Sequence, residues 1–398
     1  MNIKTWFVLT GVFLGSTAWA SDYHIVDVSF ARTGALIRTD VIVQDGSNKL
    51  NRFGMHRLDR ADRVSRGSIL LLPSLFSSFS EYTWSDDGDP MHSLASELAQ
   101  EDYEVWGFSP RTTYAPAADC ASHAVDCSAI AGWGIATYTR DIGFIREAIA
   151  VLHPGRKPVV GGLSLGAMLT IAAINDAPHG YSAAIVWEGM LYTANADMRA
   201  GNATLCQQSK DAMAAGDIFD ANNPAFLKSV VTLDATAPND PSPFPFFPPG
   251  TTNHTAELFV FSAPGPVAPA YVPTGFWPVQ ANFPANQFAF ATDVRVAKQT
   301  LAGPDLEANA VLRDMRCSLA GDRSFTSHLG QSHLPLLVFE AGTGGFGAFM
   351  QDNIALFESS DVETHVNTAY AHADHYVSAD HQAQLEAPLF AWLKHHTR

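Results

Sequence analysis

The chain has 398 residues, and its 40 acidic and 24 basic residues give a formal net charge of −16 at pH 7. This acidity argues against nucleic acid and anionic membrane surfaces as main partners, because both carry charge of the same sign. The length suits one large domain with an insertion, or two domains, and the 47% hydrophobic content allows a sizeable core.

The first twenty residues have the pattern of a secretory signal peptide. Lys4 gives a positive start, an apolar run follows over 6–14, and the stretch ends in Ala18-Trp19-Ala20. The apolar run is shorter than the roughly 20 residues that span a bilayer. We therefore predict that residues 1–20 are removed after Ala20 and that the protein is periplasmic or secreted. No later stretch predicts a membrane span.

The cysteine content predicts disulfides, because the chain has an even number, four, and an exported protein meets an oxidising compartment. Four cysteines allow three pairings. We favour Cys120 with Cys127, which closes a small loop, and Cys206 with Cys317, which closes a long one. A zinc site is the weaker alternative, since no C-x-x-C spacing is present.

The predicted elements begin with a hairpin and continue as alternating strands and helices. Blocks 23–30 and 35–44 alternate apolar and polar residues, as half-exposed strands do. Further strands are predicted over 68–72, 103–108, 158–162, 183–187, 334–339 and 362–367, and helices over 91–100, 140–152, 165–175 and 381–393. This alternation predicts an α/β protein with a mostly parallel central sheet and helices on both faces.

Residues 191–332 interrupt this alternation. The segment is rich in Pro, Phe, Ala and Asn, and is too apolar for a disordered linker. We predict an inserted cap or lid domain over 191–332, between two parts of the core at 21–190 and 333–398.

The sharpest motif is Gly162-Leu163-Ser164-Leu165-Gly166, which fits the G-x-S-x-G nucleophile elbow. An apolar strand is predicted before it and a small-residue helix after it, as the motif requires. The flanking positions need glycine because strand and helix pass very close together. The tight turn presents Ser164 as a nucleophile and directs the Leu165 N–H toward the oxyanion.

With these segments the chain resembles the α/β-hydrolase superfamily, and specifically lipase- or esterase-like serine hydrolases with a large cap. The resemblance covers roughly 65–190 and 333–398. Pro73-Ser74-Leu75-Phe76 stands where the family has its oxyanion turn, although Pro73 replaces the usual His and Ser74 the usual Gly. The resemblance implies that the Leu75 N–H is the second oxyanion donor.

A serine nucleophile needs an imidazole base, which in this fold follows the last strand. The segment Ala371-His372-Ala373-Asp374-His375 offers two candidates. The resemblance to H-x-D endings favours His372, with Asp374 as local support, and His375 is the alternative. A metal cluster built from this His- and Asp-rich segment is a minor possibility.

The third member of the triad is a carboxylate that orients the imidazole. Gly344 occupies the position where most of the family has this acid. Glu188, directly after the strand at 183–187, is our choice, because the fold also accepts an acid there. Glu340, at the end of the next strand, is the alternative acid.

These residues predict hydrolysis of carboxylic esters through an acyl-enzyme, with a small-molecule ester as partner and with neither metal nor cofactor. The aromatic side chains of 191–332 could line an apolar acyl pocket, although most are expected to form the cap's own core: Phe244, Phe246, Phe247, Phe259, Phe261, Phe276, Trp277, Phe283, Phe288 and Phe290. The alternatives are a peptidase or acyltransferase on the same site, or an inactive hydrolase-like binding protein. The sequence does not predict the oligomeric state.

Overall fold

The computed structural model describes residues 22–263, 279–343 and 346–397, so the predicted signal peptide lies outside the described residues. Within them, nine strands form one sheet. They are β1 (Tyr23–Thr33), β2 (Leu36–Asp45), β3 (Arg52–Arg60), β4 (Gly67–Leu72), β5 (Tyr103–Ser109), β6 (Val159–Leu163), β7 (Ala183–Trp187), β8 (Leu336–Ala341) and β9 (Val362–Asn367).

The spatial order of the strands is β1-β2-β3-β5-β4-β6-β7-β8-β9. The pairs from β1 to β3, and β3 with β5, are antiparallel, and every pair from β5 to β9 is parallel. Strands β4 to β8 are buried along their whole length, as expected for strands covered on both faces. The predicted mostly parallel sheet is therefore confirmed. Strand β3 has no counterpart among the predicted strands, and β1 is more exposed than the predicted half-exposed strand.

Helices cover both faces of the sheet. The longer ones are α1 (Leu94–Gln100), α2 (Ile135–Leu152), α3 (Leu165–Asp176), α4 (Ala196–Ala214), α5 (Asn222–Thr236), α6 (Asn253–Phe261), α7 (Asp293–Leu301), α8 (Asn309–Leu319) and α9 (Ala387–His396). Apolar residues of α2 and α3 form one core with the sheet, and those of α1 and α9 form a second core. Burial of these stripes fixes the helices on opposite faces.

Two predicted helices begin later than expected. Residues 90–92 form a 3₁₀ turn, and α1 starts at Leu94 because the Ser93 side chain caps it. Near the C-terminus, Gln382–Glu386 forms a π-helical turn that leads into α9.

The segment between β7 and β8 contains α4 to α8 and several two- to four-residue strands. Helices α4 and α8 pack together and are joined by the Cys206–Cys317 disulfide. Cys120, in a short helix after β5, pairs with Cys127, so both predicted pairings are present. Among the described residues, no helix combines the length and apolar character needed to cross a bilayer.

Candidate active site

Ser164 occupies the single-residue turn between β6 and α3. Its φ of 59° is in the left-handed region, and its N–H donates to the Trp187 carbonyl oxygen at 2.8 Å. A Cβ atom at Gly162 or at Gly166 would lie 2.0 Å from the Leu72 carbonyl oxygen, so both positions require glycine. The motif thus forms the close strand-to-helix crossing that its spacing predicts.

Two backbone N–H groups near this turn are available as donors. Leu165 is the first residue of α3, where an N–H has no acceptor within the helix. In the turn after β4, the Ser74 N–H donates to Glu81 at 2.7 Å and the Phe76 N–H to Glu307 at 3.3 Å. Between them, the Leu75 N–H donates to no acceptor in the described part of the chain.

Glu188 forms the corresponding turn after β7, with a φ of 53°. Its N–H donates to the Phe339 carbonyl oxygen at 3.2 Å, and its side chain is fully buried. The next residue, Gly189, packs against the nucleophile turn, since a Cβ there would lie 2.4 Å from the Ser164 carbonyl oxygen. The ends of β6 and β7 are therefore in direct contact.

The structure brings Glu188 to His372. Glu188 Oε2 lies 3.5 Å from His372 Nδ1, and the other carboxylate oxygen accepts the Ala341 N–H. Burial raises the pKa of Glu188 well above its usual range, the N–H groups of Ala341 and Phe346 oppose this rise, and the Glu340 carboxylate adds to it. The pair has the arrangement in which a carboxylate orients an imidazole through Nδ1.

His372 is buried, with 6% of its surface exposed, and its ring contacts Phe346 edge-on at 5.6 Å. Burial lowers the pKa of His372 to about 3. The imidazole is therefore neutral near pH 7, which is the form that accepts a proton from a serine hydroxyl. Ser164 is similarly buried, with 4% exposed.

The alternative residues have other contacts. Glu340 lies inside β8, and its carboxylate accepts the Gln351 side-chain N–H at 2.7 Å. The His375 ring packs against Tyr370 at 5.0 Å and Phe339 at 5.8 Å. Of the two acids, Glu188 is the one that contacts the favoured base.

Asp374 holds the backbone near His372, since its Oδ2 accepts the backbone N–H groups of Ala371 at 2.7 Å and Gln280 at 3.1 Å. Asp374 therefore fixes the loop that carries His372. Gly344, at the usual family position of the acid, lies outside the described residues.

Sequence reasoning missed two buried carboxylates that hold the turn around Leu75. Glu81 accepts from both the N–H and the Oγ of Ser74, and Glu307 accepts the Phe76 N–H. Burial raises the pKa of each to about 7. No short motif could reveal Glu307, because it lies 231 residues from Phe76 along the chain.

Most of the aromatic residues predicted for an acyl pocket pack on one another. Close ring contacts connect Phe226, Phe244, Phe246, Phe247, Phe259 and Phe283. Phe261 and Phe288 are buried in the core, and Phe290 contacts Tyr370 at 4.8 Å. Phe276 and Trp277 lie outside the described residues.

Solved structures share this architecture. A candidate lipase from Sulfolobus solfataricus superposes with a TM-score of 0.64 at 17% identity, over 94% of this chain and 99% of that chain. The chain has the α/β-hydrolase fold. A thermostable carboxyl esterase from Bacillus coagulans gives a TM-score of 0.54 at 11% identity, over 95% and 99% of the two chains. No family model matches the sequence. No curated protein matches it either.

Proposed function

We propose that this α/β-hydrolase-fold protein is an exported serine hydrolase that cleaves carboxylic esters through Ser164, His372 and Glu188. The observation that carries the proposal is the 3.5 Å approach of Glu188 to His372 Nδ1, at the same sheet edge as a nucleophile elbow. The esterase and lipase names of the structural neighbours support the same reaction class. Both disulfides support an oxidising compartment outside the cytoplasm.

In the proposed reaction, the Ser164 hydroxyl attacks the ester carbonyl while His372 Nε2 takes its proton. Glu188 stabilises the imidazolium that forms, and the N–H groups of Leu165 and Leu75 donate to the oxyanion. The alcohol leaves with the proton from His372, which gives an acyl-enzyme. Water then attacks the acyl group while His372 takes a proton from it, and His372 gives that proton to Ser164 Oγ as the acid is released.

We propose that the segment 191–332 is a cap over this site and that it selects esters with apolar acyl or alcohol groups. Residues of this segment contact the loops that carry the site: Gln280 binds Asp374, and Glu307 binds Phe76. Its many phenylalanines give it an apolar interior that suits such groups.

The decisive experiment is intact-mass analysis after treatment with a fluorophosphonate. The expected result is one adduct on the protein and none on Ser164→Ala. In a separate assay, the untreated protein is expected to hydrolyse p-nitrophenyl esters. Cleavage of peptides without cleavage of esters would assign a peptidase instead. A folded protein that forms no adduct would contradict the proposal and favour a hydrolase-like binding protein.

A further inference from the structure

Four metal-ligating side chains meet between three helices of the segment that joins β7 to β8. Asp234 lies in α5, His254 and Glu257 lie in α6, and Asp293 is the first residue of α7. One ligand atom from each of the four lies within 4.8 Å of the others. His254 and Glu257 are three positions apart, so they share one face of α6.

Glu257 lacks the partners that a buried carboxylate requires. Only 1% of its surface is exposed, and neither of its oxygens accepts a hydrogen bond from an N–H or hydroxyl donor within the described residues. The ligand atoms of Asp234 and Asp293 lie within 4.8 Å of a Glu257 oxygen. A buried carboxylate among other carboxylates is costly unless a positive charge compensates it.

His254 presents a lone pair to this cluster. Its Nε2 lies 3.0 Å from the Asn286 carbonyl oxygen, which only accepts, so Nε2 carries the hydrogen. In the neutral ring Nδ1 then has the lone pair, and it lies 3.2 Å from Asp234 Oδ1. Two acceptors face each other, which requires a proton or a cation between them. Metal-ligating histidines typically donate their other N–H to a backbone carbonyl in this way.

We infer that Asp234, His254, Glu257 and Asp293 bind one divalent transition-metal cation, and that Zn²⁺ is the best match. An imidazole among the ligands favours Zn²⁺ over Ca²⁺ or Mg²⁺, and carboxylates complete many zinc sites. One such divalent cation offsets two of the three carboxylate charges and so removes most of their mutual repulsion. Because the ligands come from α5, α6 and α7, the metal holds these helices together, and this role does not depend on the proposed esterase activity.

The test measures Zn²⁺ binding to the purified protein after chelator treatment and dialysis. Calorimetric titration is expected to give one saturable Zn²⁺ per chain, and Zn²⁺ is expected to raise the Tm where Ca²⁺ does not. Removing a residue that hydrogen-bonds to a metal ligand typically weakens metal binding by about 10- to 100-fold. His254→Gln and Asp293→Asn remove proposed ligands themselves, so they are expected to weaken Zn²⁺ binding at least as much. His92→Gln is the matched control, because His92 forms an exposed pair with Asp87 at 2.7 Å.

Asp293→Asn keeps the test decisive even if His254→Gln fails to fold, because Asp293 is exposed and its substitution leaves the core intact. The inference is wrong if the protein binds no Zn²⁺ saturably, or if Asp293→Asn binds it as tightly as the parent. A protein that is more stable at acidic pH but whose Tm does not change with Zn²⁺ would show instead that Asp234 and Glu257 share a proton.

Discussion

Ser164 and Glu188 adopt the same unusual backbone conformation, with φ values of 59° and 53°. Such a conformation costs a non-glycine residue about 1–3 kcal/mol and persists only where its surroundings enforce it. Each turn donates its N–H to the neighbouring strand, Ser164 to Trp187 and Glu188 to Phe339. The adjacent parallel strands β6 and β7 therefore end in the same kind of turn, which places a hydroxyl and a carboxylate at the same edge of the sheet.

The first prediction separates the two candidate acids. Glu188→Gln keeps the size of the side chain but removes the charge that stabilises the imidazolium, so kcat is expected to fall about 10³- to 10⁴-fold. Glu340→Gln is the matched control, and its kcat is expected to stay close to that of the parent. Steady-state hydrolysis of a p-nitrophenyl ester measures both. The reverse order of effects would assign the acid to Glu340.

At the scale of elements, the crossing of β6 and α3 depends on two glycines without side chains. Gly162→Ala places a Cβ against the Leu72 backbone, which cannot retreat as a side chain can, so the free energy of unfolding is expected to fall by about 3 kcal/mol or more. Urea unfolding measures the change.

Gly143→Ala is the matched control for this substitution. Gly143 lies inside α2 with open space around its Cβ position, and alanine there is expected to stabilise the protein by up to about 1 kcal/mol. Equal effects of the two substitutions would contradict the close-crossing explanation.

The two disulfides are expected to differ in their contribution to stability. Cys206–Cys317 spans 111 residues and Cys120–Cys127 spans 7. The chain-entropy model gives about 5 kcal/mol for the long loop and about 2 kcal/mol for the short one. The double variant Cys206→Ala/Cys317→Ala is therefore expected to unfold at clearly lower urea than Cys120→Ala/Cys127→Ala. Equal urea midpoints for the two double variants would show that the entropy of the unfolded chain is not the main contribution of these disulfides to stability.

The elements that the sequence predicts well have strong local signals. The apolar run at Ser68–Leu72 predicts a strand from neighbouring residues alone. The glycines around Ser164 predict the turn in the same way. Strand β3 was missed because its alternation is masked by charged residues such as Arg57, whose partner Glu104 lies on β5. Contacts such as Glu307 with Phe76 join distant positions, and periodicity carries no information about them.

At the scale of the whole molecule, buried carboxyl groups make stability depend on pH. Burial raises the pKa of Glu307 from 4.5 to about 7, so its folded form retains a proton that the unfolded chain releases. Its contribution to stability is complete below pH 4.5 and is lost as the pH rises through 7.

Glu307→Gln removes this titration while keeping an oxygen that accepts the Phe76 N–H. Relative to the parent, the variant is expected to gain stability as the pH is raised from 5 to about 7 and to show little further gain at pH 8. Urea unfolding across this range measures the difference. A difference that does not change with pH would show that Glu307 is ionised throughout.

The order of the proposed triad along the chain has a consequence for biosynthesis. Ser164 and Glu188 precede the long segment between β7 and β8, whereas His372 follows it. A ribosome therefore makes the proposed nucleophile and acid well before the base that would activate the nucleophile. Under the proposed assignment, a nascent or truncated chain that stops before His372 lacks the base and is expected to be inert. Activity is expected only after β9 and the loop that follows it have joined the sheet.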